Sequence, residues 1–372
     1  MPTANTALVD RENLRVGVDA ALARHVESLR ETALTVSPDA SPLADAVERM
    51  LAGGKRLRAA FCYWSWRAHG GVPGDAREQA VLRAGAALEL FQAAALFHDD
   101  VMDDSSTRRG LPTAHLVFAD EHRSTGRRGE SRRFGDGVAI LLGDLALVAS
   151  DEEMSHALAG LPAPVARTAR TVFDLMRTEV TMGQYLDLVA QTMPWGDPVD
   201  DERRAREVVR TKAARYSVEH PLVLGAALAG ADDDALAGCR AVGLPLGEAF
   251  QLRDDLLGVL GDPTTTGKPA GDDLREGKRT VLVARALARA AAAGDTITQT
   301  ALSRGVGDPG LDADGVAELT ALLVRTGAVA EVESLIDELR TQTFAQIEAR
   351  GWPEPARGAL VALAHAAIDR TA

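Results

Sequence analysis

Two clusters of aspartate residues interrupt apolar stretches of this sequence. The first reads DDVMDD at 99–104 and ends an apolar run over 81–97, and the second reads DDLLG at 254–258. Carboxylates are rarely buried unless they are paired with a cation or bind a metal. In a helix, Asp99 and Asp103 lie one turn apart on the same face and would repel each other. Oxygen ligands favour Mg²⁺, which shares its coordination with water and substrate phosphates, so the clusters predict a magnesium and phosphate site.

Basic residues accompany both acidic clusters. The segment GGKRLR at 53–58 opens a predicted helix, and Lys55 and Arg58 share one face of it. Arg108 and Arg109 follow the first cluster, and their forked guanidinium groups suit phosphate oxygens. Further basic residues stand in later segments: Lys212, Lys268 and Lys278. Carboxylates for metal, together with these cations, indicate two diphosphate sites, one bridged by metal ions and one held by basic side chains alone.

The composition excludes several classes of protein. The 372 residues are 46% hydrophobic and carry a formal net charge of −13, which argues against nucleic-acid binding. Two cysteines, Cys62 and Cys239, rule out a disulfide scaffold and a thiolate zinc site. The N-terminal sequence lacks a signal-peptide pattern, and no uninterrupted apolar stretch reaches the roughly 20 residues that span a bilayer. We therefore expect a cytoplasmic protein without a membrane span.

Apolar residues recur at three- and four-residue spacing almost throughout, which predicts helices. The predicted ranges are 8–36, 42–51, 56–69, 76–104, 137–159, 163–192, 199–230, 235–260, 273–293, 313–325, 327–350 and 354–370. Several are apolar all round, which is typical of helices inside a large bundle. We predict one all-α domain over 1–372, with residues 1–7 disordered. The polar stretch 105–136 is expected to be a loop with one short helix, in which 119–136 forms a flexible, solvated, arginine-rich insertion.

Five segments occur in the order that is typical of one known family. They are GGKRLR at 53–58, HDDVMDDSSTRRG at 98–110, GQYLD at 183–187, FQLRDDLLG at 250–258 and TGKPAGDDLREGK at 266–278. Through them the chain resembles the trans-isoprenyl diphosphate synthases, or polyprenyl synthetases, and is most similar to bacterial geranylgeranyl diphosphate synthases. The resemblance implies a single all-α bundle of the isoprenoid synthase type with a central substrate cavity.

The resemblance also implies roles for individual residues. The implied ligands of three Mg²⁺ ions are Asp99, Asp103 and Asp254, supported by Asp100 and Asp255. Contacts to the allylic diphosphate are implied for Arg108, Lys212, Gln251 and Lys268. Isopentenyl diphosphate, which has no metal of its own, would bind to Lys55, Arg58 and Arg109. Positions around these ligands are Gln184, Asp187, Asp273 and Lys278, of which Lys278 is also a candidate substrate contact.

The implied reaction is a head-to-tail condensation of isopentenyl diphosphate with dimethylallyl, geranyl or farnesyl diphosphate. Metal ions and cationic side chains would stabilise the departing diphosphate, so no protein nucleophile is needed. Three departures from the family pattern stand out. Gly258 replaces the last aspartate of the second cluster, and Ala213 replaces a common threonine. Gln92 stands where many members have a histidine for isopentenyl diphosphate, and it remains a predicted substrate contact because its amide can donate to phosphate. None of them deletes a principal metal ligand.

Product length is predicted from helix geometry. One helical turn rises about 5.4 Å, close to the length of an isoprene unit. Ala94 and Ala95, one turn before Asp99, leave room where an aromatic residue would stop a C15 chain. Phe91 precedes Ala94 by three residues and would close the next turn. The expected product is therefore geranylgeranyl diphosphate (C20), and C25 or longer chains are expected if Phe91 points away from the tunnel.

Other functions on the same scaffold remain open from sequence. A terpene cyclase would use the same ionisation but needs no second diphosphate site, so Lys55, Arg58 and Arg109 argue against it. A non-catalytic partner subunit is disfavoured because the first acidic cluster is present. The family is usually homodimeric, and we expect the same of this chain.

Overall fold

A computed structural model describes residues 11–261, 271–308 and 310–369 of the chain. Within these ranges the chain is almost entirely helical, as predicted. The helices of the first half are α1 (Leu14–Val36), α2 (Ser41–Leu51), α3 (Leu57–Ala68), α4 (Glu78–Met102), α5 (Ala114–Ser124), α6 (Ser131–Leu158) and α7 (Ala163–Thr192). A two-stranded antiparallel hairpin, β1 (Thr107–Arg108) and β2 (Leu111–Pro112), lies between α4 and α5 in sequence.

The second half of the chain begins with α8 (Pro198–Val208), which continues through a π-helical segment, Val209–Glu219, into α9 (His220–Ala229). The remaining helices are α10 (Asp233–Leu260), α11 (Asp272–Arg275), α12 (Val281–Ala292), α13 (Thr296–Gly305), α14 (Ala313–Arg325), α15 (Ala328–Arg350) and α16 (Ala356–Ile368). Side chains cap several helix starts. Asp197 accepts bonds from Val199 N and Asp200 N at α8, and Thr280 accepts from Val283 N at α12.

The described residues form two compact units, each assembled from separate segments. The first unit comprises residues 11–172, 221–236 and 352–363, and the second comprises 173–220, 237–351 and 364–369. The prediction of a single domain over 1–372 stays a prediction. The predicted disorder of residues 1–7 lies outside the described residues.

The core of the first unit surrounds α4. This helix packs along α6 and α3, and its buried side chains are nearly all apolar. Among the described residues, α4 alone is long and apolar enough to cross a membrane, by length and composition only, and 78% of its apolar window is buried inside the protein. Core helices that are mostly buried have the same length and composition, so these two properties are weak evidence for a membrane span.

Several predicted boundaries were wrong. The long helix predicted over 273–293 is broken, because Gly277 adopts a positive φ of 75° and the chain restarts at α12. Helix α13, over 296–305, was missed because its sequence is mostly polar. The helix predicted to begin at 137 begins at Ser131, where the Glu130 side chain accepts bonds from Arg132 N and Arg133 N. The expected loop over 105–136 therefore contains the hairpin, α5 and the first turn of α6.

Candidate active site

The first acidic cluster ends helix α4, in the first unit. Asp103 closes the helix, with its backbone N–H donating to Asp99 O at 2.8 Å. Asp99 and Asp103 are half-buried, and they continue a partly accessible stripe of α4 that includes Gln92 and Ala95. These positions are spaced by three or four residues and so share one helix face. The structure therefore presents both predicted magnesium ligands on the same side of α4.

Asp100 has a different environment from its neighbour Asp99. Its side chain is 1% exposed, and Oδ1 accepts bonds from Arg108 Nε at 3.0 Å and from Arg108 Nη2. Arg108 Nη2 also lies 3.7 Å from Asp99 Oδ2. A buried carboxylate and a forked guanidinium form a strong, directional pair. Asp100 thus fixes the orientation of Arg108, one of the predicted diphosphate contacts.

The hairpin explains how Arg108 returns to α4. Arg108 pairs with Leu111 across two residues of positive φ, Arg109 (53°) and Gly110 (75°). Two consecutive positive φ values are typical of the tight turns that connect paired strands. The turn also brings Arg109 to the end of α2, where its Nη1 donates to Met50 O at 3.2 Å and to Ala52 O at 2.7 Å.

Cationic groups are concentrated around this turn. Burial and the charge of Arg108 lower the pKa of Arg109, with smaller contributions from Arg56 and Arg58, while Glu89 opposes them. Arg58 is half-buried and Lys55 is exposed. Mutual repulsion among arginines is relieved by a bound anion. The first unit therefore contains a cluster of cationic side chains suited to binding an anion.

The predicted chain-length residues lie in two environments on α4. Ala95 belongs to the accessible stripe of Asp99, whereas Ala94 is 0% exposed and Phe91 is 3% exposed. The role of Phe91 as the floor of a product tunnel stays a prediction.

The second acidic cluster lies on α10, in the second unit. Gln251, Asp254 and Gly258 are half-buried and share a helix face, while Asp255 is buried. Asp255 Oδ1 accepts a bond from Gln251 Nε2 at 2.8 Å. Burial, reinforced by the nearby charges of Asp273 and Asp254, raises the pKa of Asp255 to about 8. Carboxylates held this close need a positive charge nearby if all of them are to ionise.

Asp273 occupies the space next to Gly258. A Cβ atom at position 258 would lie 2.2 Å from Asp273 Oδ2. The Asp273 Oδ1 atom lies 3.4 Å from Lys278 Nζ, which is also 2.6 Å from Glu276 Oε2. The Asp273 carboxylate therefore occupies the space that a side chain at position 258 would need.

Lys212 lies in the π-helical segment and contacts the GQYLD segment of α7. Its Nζ donates to Asp187 Oδ2 at 2.6 Å, and Asp187 is 6% exposed. Gly183 makes this approach possible, because a Cβ there would lie 2.5 Å from Lys212 N. On the other side, a Cβ at Gly247 of α10 would lie 2.4 Å from Ala214 O. Two glycines therefore provide room for the wide π-helical turn, a conformation often found at functional sites.

The aspartates of both clusters offer oxygen donors of the kind that Mg²⁺ prefers. Within 11–261, 271–308 and 310–369, no group of three or more His, Cys, Asp or Glu side chains is placed to hold a metal ion. Aspartate oxygens that leave coordination positions for water and phosphate are typical of Mg²⁺ sites. The pKa of Asp255 is raised by burial and by the neighbouring carboxylates. A cation beside the cluster would stabilise the ionised form of these carboxylates. The predicted contact Lys268 lies outside the described residues.

Sequence reasoning missed some residues that organise these clusters. Arg132 forms an ion pair with Asp104 and donates to Asp136 Oδ1 at 2.9 Å, which ties the start of α6 to the end of the first acidic cluster. Arg56 and Glu89 form a buried pair beneath the GGKRLR segment. The Arg56–Glu89 pair could have been suspected from the sequence, because Glu89 is one of only two charged residues in the apolar run 81–97.

The chain is similar to several known prenyl diphosphate synthases. A geranylgeranyl diphosphate synthase of Mycobacterium tuberculosis is 35% identical over 280 residues, which are 74% of this chain and 71% of the relative. A geranylfarnesyl diphosphate synthase of Aeropyrum pernix is 33% identical over 258 residues, 69% of this chain and 73% of the relative. The crystal structure of a geranylgeranyl pyrophosphate synthase from Corynebacterium glutamicum, complexed with isoprenyl diphosphate and magnesium, matches with a TM-score of 0.90 and 37% identity, covering 96% of this chain and 98% of that one. A family profile described as polyprenyl synthetase matches residues 40–310. With that match and these relatives, the chain belongs to the polyprenyl synthetase family.

Proposed function

We propose that this protein is a magnesium-dependent prenyl transferase that condenses isopentenyl diphosphate with an allylic diphosphate, with geranylgeranyl diphosphate (C20) as the main product. The observation that carries the proposal is the end of α4, where Asp99 and Asp103 share one helix face and Asp100 orients Arg108. The similar C. glutamicum enzyme, complexed with isoprenyl diphosphate and magnesium, supports the use of a diphosphate substrate and a divalent metal here.

Each group has a task in the proposed reaction. Asp99, Asp103 and Asp254 would hold Mg²⁺, with three ions expected in all. Bound Mg²⁺ would neutralise the charge of the departing diphosphate. Arg108, held by Asp100, and Lys212, held by Asp187, would bind the oxygens of that leaving group. The bond from C1 of the allylic substrate to the diphosphate oxygen breaks, and the electron pair leaves with the diphosphate. The double bond of isopentenyl diphosphate then attacks C1, and the released diphosphate accepts the proton lost from C2.

The arginine cluster of the first unit favours the transferase over a terpene cyclase. A cyclase acts on one diphosphate and needs no second anion site. Here Arg58 and Arg109 lie beside the leaving-group contact Arg108, and burial and the charge of Arg108, with a smaller contribution from Arg58, lower the pKa of Arg109. Such a cluster suits the metal-free diphosphate of isopentenyl diphosphate.

The decisive assay uses purified full-length protein, Mg²⁺, labelled isopentenyl diphosphate and each of three primers, namely dimethylallyl, geranyl and farnesyl diphosphate. Dephosphorylated products are separated by chromatography. We expect a C20 alcohol that requires both substrates and disappears with EDTA. We also expect Asp99→Asn and Asp254→Asn each to lower kcat by at least a hundredfold, because each removes a charged metal ligand. A cyclic hydrocarbon formed from the allylic substrate alone would favour the cyclase and refute the proposal.

Longer products are the second candidate for product length. The A. pernix relative is named a geranylfarnesyl diphosphate synthase, a C25 enzyme, at 33% identity. The same chromatography distinguishes the two lengths. Phe91→Ala should lengthen the product by at least one isoprene unit if Phe91 closes the tunnel, and an unchanged product would remove Phe91 from that role.

We further propose that the protein is a cytoplasmic homodimer. Apolar side chains are exposed along α6, at Leu141 (57%) and Val148 (65%), and along α7, at Met182 (61%) and Tyr185 (66%). Exposed apolar stripes of this kind are typical of subunit contacts. Light scattering after size exclusion should give twice the chain mass. Leu141→Arg combined with Met182→Glu should give a monomer, and an unchanged mass would place the contact elsewhere.

A further inference from the structure

A buried arginine of the GGKRLR segment connects the loop to its surroundings. Arg56 is 7% exposed and directly precedes α3, between the predicted substrate contacts Lys55 and Arg58. Its backbone has a φ of 55°, in the left-handed region that non-glycine residues rarely adopt. A residue held in that conformation needs compensating contacts from its surroundings.

The side chain of Arg56 provides those contacts. Nε donates to Asp19 Oδ1 on α1 at 2.8 Å, and Nη2 donates to Leu51 O at the end of α2 at 2.8 Å. Nη1 lies 3.4 Å from Glu89 Oε2 on α4. We call Asp19, Leu51, Arg56 and Glu89 the Arg56 cluster. One guanidinium thus ties the loop to three helices.

The adjoining glycine is required by the same contacts. A Cβ at Gly54 would lie 2.5 Å from Arg56 Nη1. The Gly54 carbonyl accepts a bond from Arg15 Nη1 at 3.2 Å, which fixes the peptide next to Lys55. Contacts of Arg15 and Arg56 therefore hold the backbone from which Lys55 projects.

Glu89 supplies the buried negative charge of the cluster. It is 4% exposed, and within the described part of the chain its Oε1 atom has no hydrogen-bond partner. Burying an ionised carboxylate lowers the stability of the fold unless a positive charge pairs with it. Its charge acts on Arg109 as well as on Arg56, since it opposes the loss of the Arg109 proton. Glu89 thus balances the arginines that would otherwise repel one another where the diphosphate binds.

We propose that Arg56 is a positioning residue for isopentenyl diphosphate, with Glu89 as its buried counter-charge, an assignment that rests on the proposed function. Arg56 does not touch the substrate. It holds the 53–58 loop in the one backbone conformation that presents Lys55 and Arg58 to the diphosphate. Every member of the Arg56 cluster lies in the first unit, which also contains the proposed metal-free diphosphate site. Replacing Arg56 should therefore affect the binding of isopentenyl diphosphate and not that of the allylic substrate.

The test compares Arg56→Lys and Glu89→Gln with wild type. A lysine has one compact ammonium group and cannot bond to three elements at once. We expect the KM for isopentenyl diphosphate to rise about tenfold or more in Arg56→Lys, and about threefold or more in Glu89→Gln. The KM for the allylic primer, and kcat at saturating isopentenyl diphosphate, should stay within about twofold of wild type.

Arg67→Lys is a matched control on α3, the helix that Arg56 directly precedes. Arg67 is also mostly buried, with Nε donating to Glu12 Oε2 at 2.8 Å and Nη2 to Glu12 Oε1 at 3.1 Å. Its replacement should lower the melting temperature by an amount similar to that of Arg56→Lys and leave both KM values unchanged. If Arg56→Lys does not fold, as judged by circular dichroism, Glu89→Gln decides the question.

Calorimetric titration with isopentenyl diphosphate in magnesium-free buffer separates this inference from the proposed function. Weaker binding by the two variants, with wild-type binding intact, supports the positioning role even if no primer is elongated. Wild-type elongation together with unchanged binding by both variants would overturn the positioning role and leave the proposed function standing. An equal loss in Arg67→Lys would also overturn it, because the effect would then be one of general stability.

Discussion

Gly183→Ala tests how the π-helical segment places Lys212. The new Cβ would lie 2.5 Å from Lys212 N, 2.7 Å from Thr211 C and 2.8 Å from Lys212 Cα. Ordinary van der Waals contact begins at 3.4 Å, and all three atoms are backbone, so no side-chain rotation can relieve the overlap. The segment must move away from α7, and Lys212 moves with it.

The expected magnitude follows from two opposing terms. Overpacking a close helix contact costs about 1–3 kcal/mol, whereas alanine is favoured over glycine in a helix by about 0.5–1 kcal/mol. The net loss in the free energy of unfolding should be about 1–2 kcal/mol, which lowers the melting temperature of a chain of this length by about 1–3 °C. The functional effect should be larger. We expect kcat/KM for the allylic diphosphate to fall about tenfold or more, because small displacements of a positioning group are costly in catalysis.

The assay combines thermal unfolding with steady-state kinetics in which each substrate is varied in turn. Gly137→Ala is the matched control, since Gly137 is a helical residue of α6 with no atom within 4 Å of the new Cβ. That variant should be as stable as wild type or slightly more stable, with unchanged kinetics. A Gly183→Ala protein that melts at the wild-type temperature and keeps its allylic kcat/KM would refute the reasoning.

Three further predictions follow from the buried charges. Asp100→Asn removes the carboxylate that orients Arg108, so kcat/KM for the allylic substrate should fall at least tenfold, and unaltered kinetics would contradict this role. Gly258→Asp should lower activity instead of completing the acidic motif, because its Cβ would meet the Asp273 carboxylate at 2.2 Å; higher activity would show that both carboxylates fit. Burial raises the pKa of Glu219 from 4.5 to about 7, so the folded state binds more protons than the unfolded state in that window, and the free energy of unfolding should fall as pH rises from 4.5 to 7. Asp255, whose pKa is also raised, adds a fall of the same sign, so urea unfolding at several pH values should show a smaller fall in Glu219→Gln than in wild type, whereas parallel profiles would exclude a contribution from Glu219.

Much of the secondary structure could be predicted from sequence because it depends on local pattern. The helices observed over 163–192 and 313–325 match the predicted ranges residue for residue. The errors arose where a local pattern was weak or was overridden. The polar sequence of α13 shows little apolar periodicity, and its buried residues Thr298 and Leu302 become a pattern only when a neighbouring surface is known. The π-helical turn at 209–219 depends on glycines in two other helices.

The candidate site divides in the same way. Sequence identified the acidic and basic residues as a group, because their types and order are typical of diphosphate chemistry. It could not distinguish the tasks of adjacent aspartates. Asp99 is half-buried on an accessible face while Asp100 is 1% exposed and bonded to Arg108, and the same contrast separates Asp254 from Asp255.

The amino-acid sequence by itself determined that this chain is helical, acidic and supplied with carboxylates and guanidinium groups for diphosphates, since these properties follow from residue type and spacing. Only the tertiary structure decided that Asp273 lies where residue 258 lacks a side chain, and that Glu89 lies beneath Arg56. The physical reason is that burial and charge pairing depend on how each helix is rotated against its neighbours. That rotation is set by contacts between residues that are far apart in the chain.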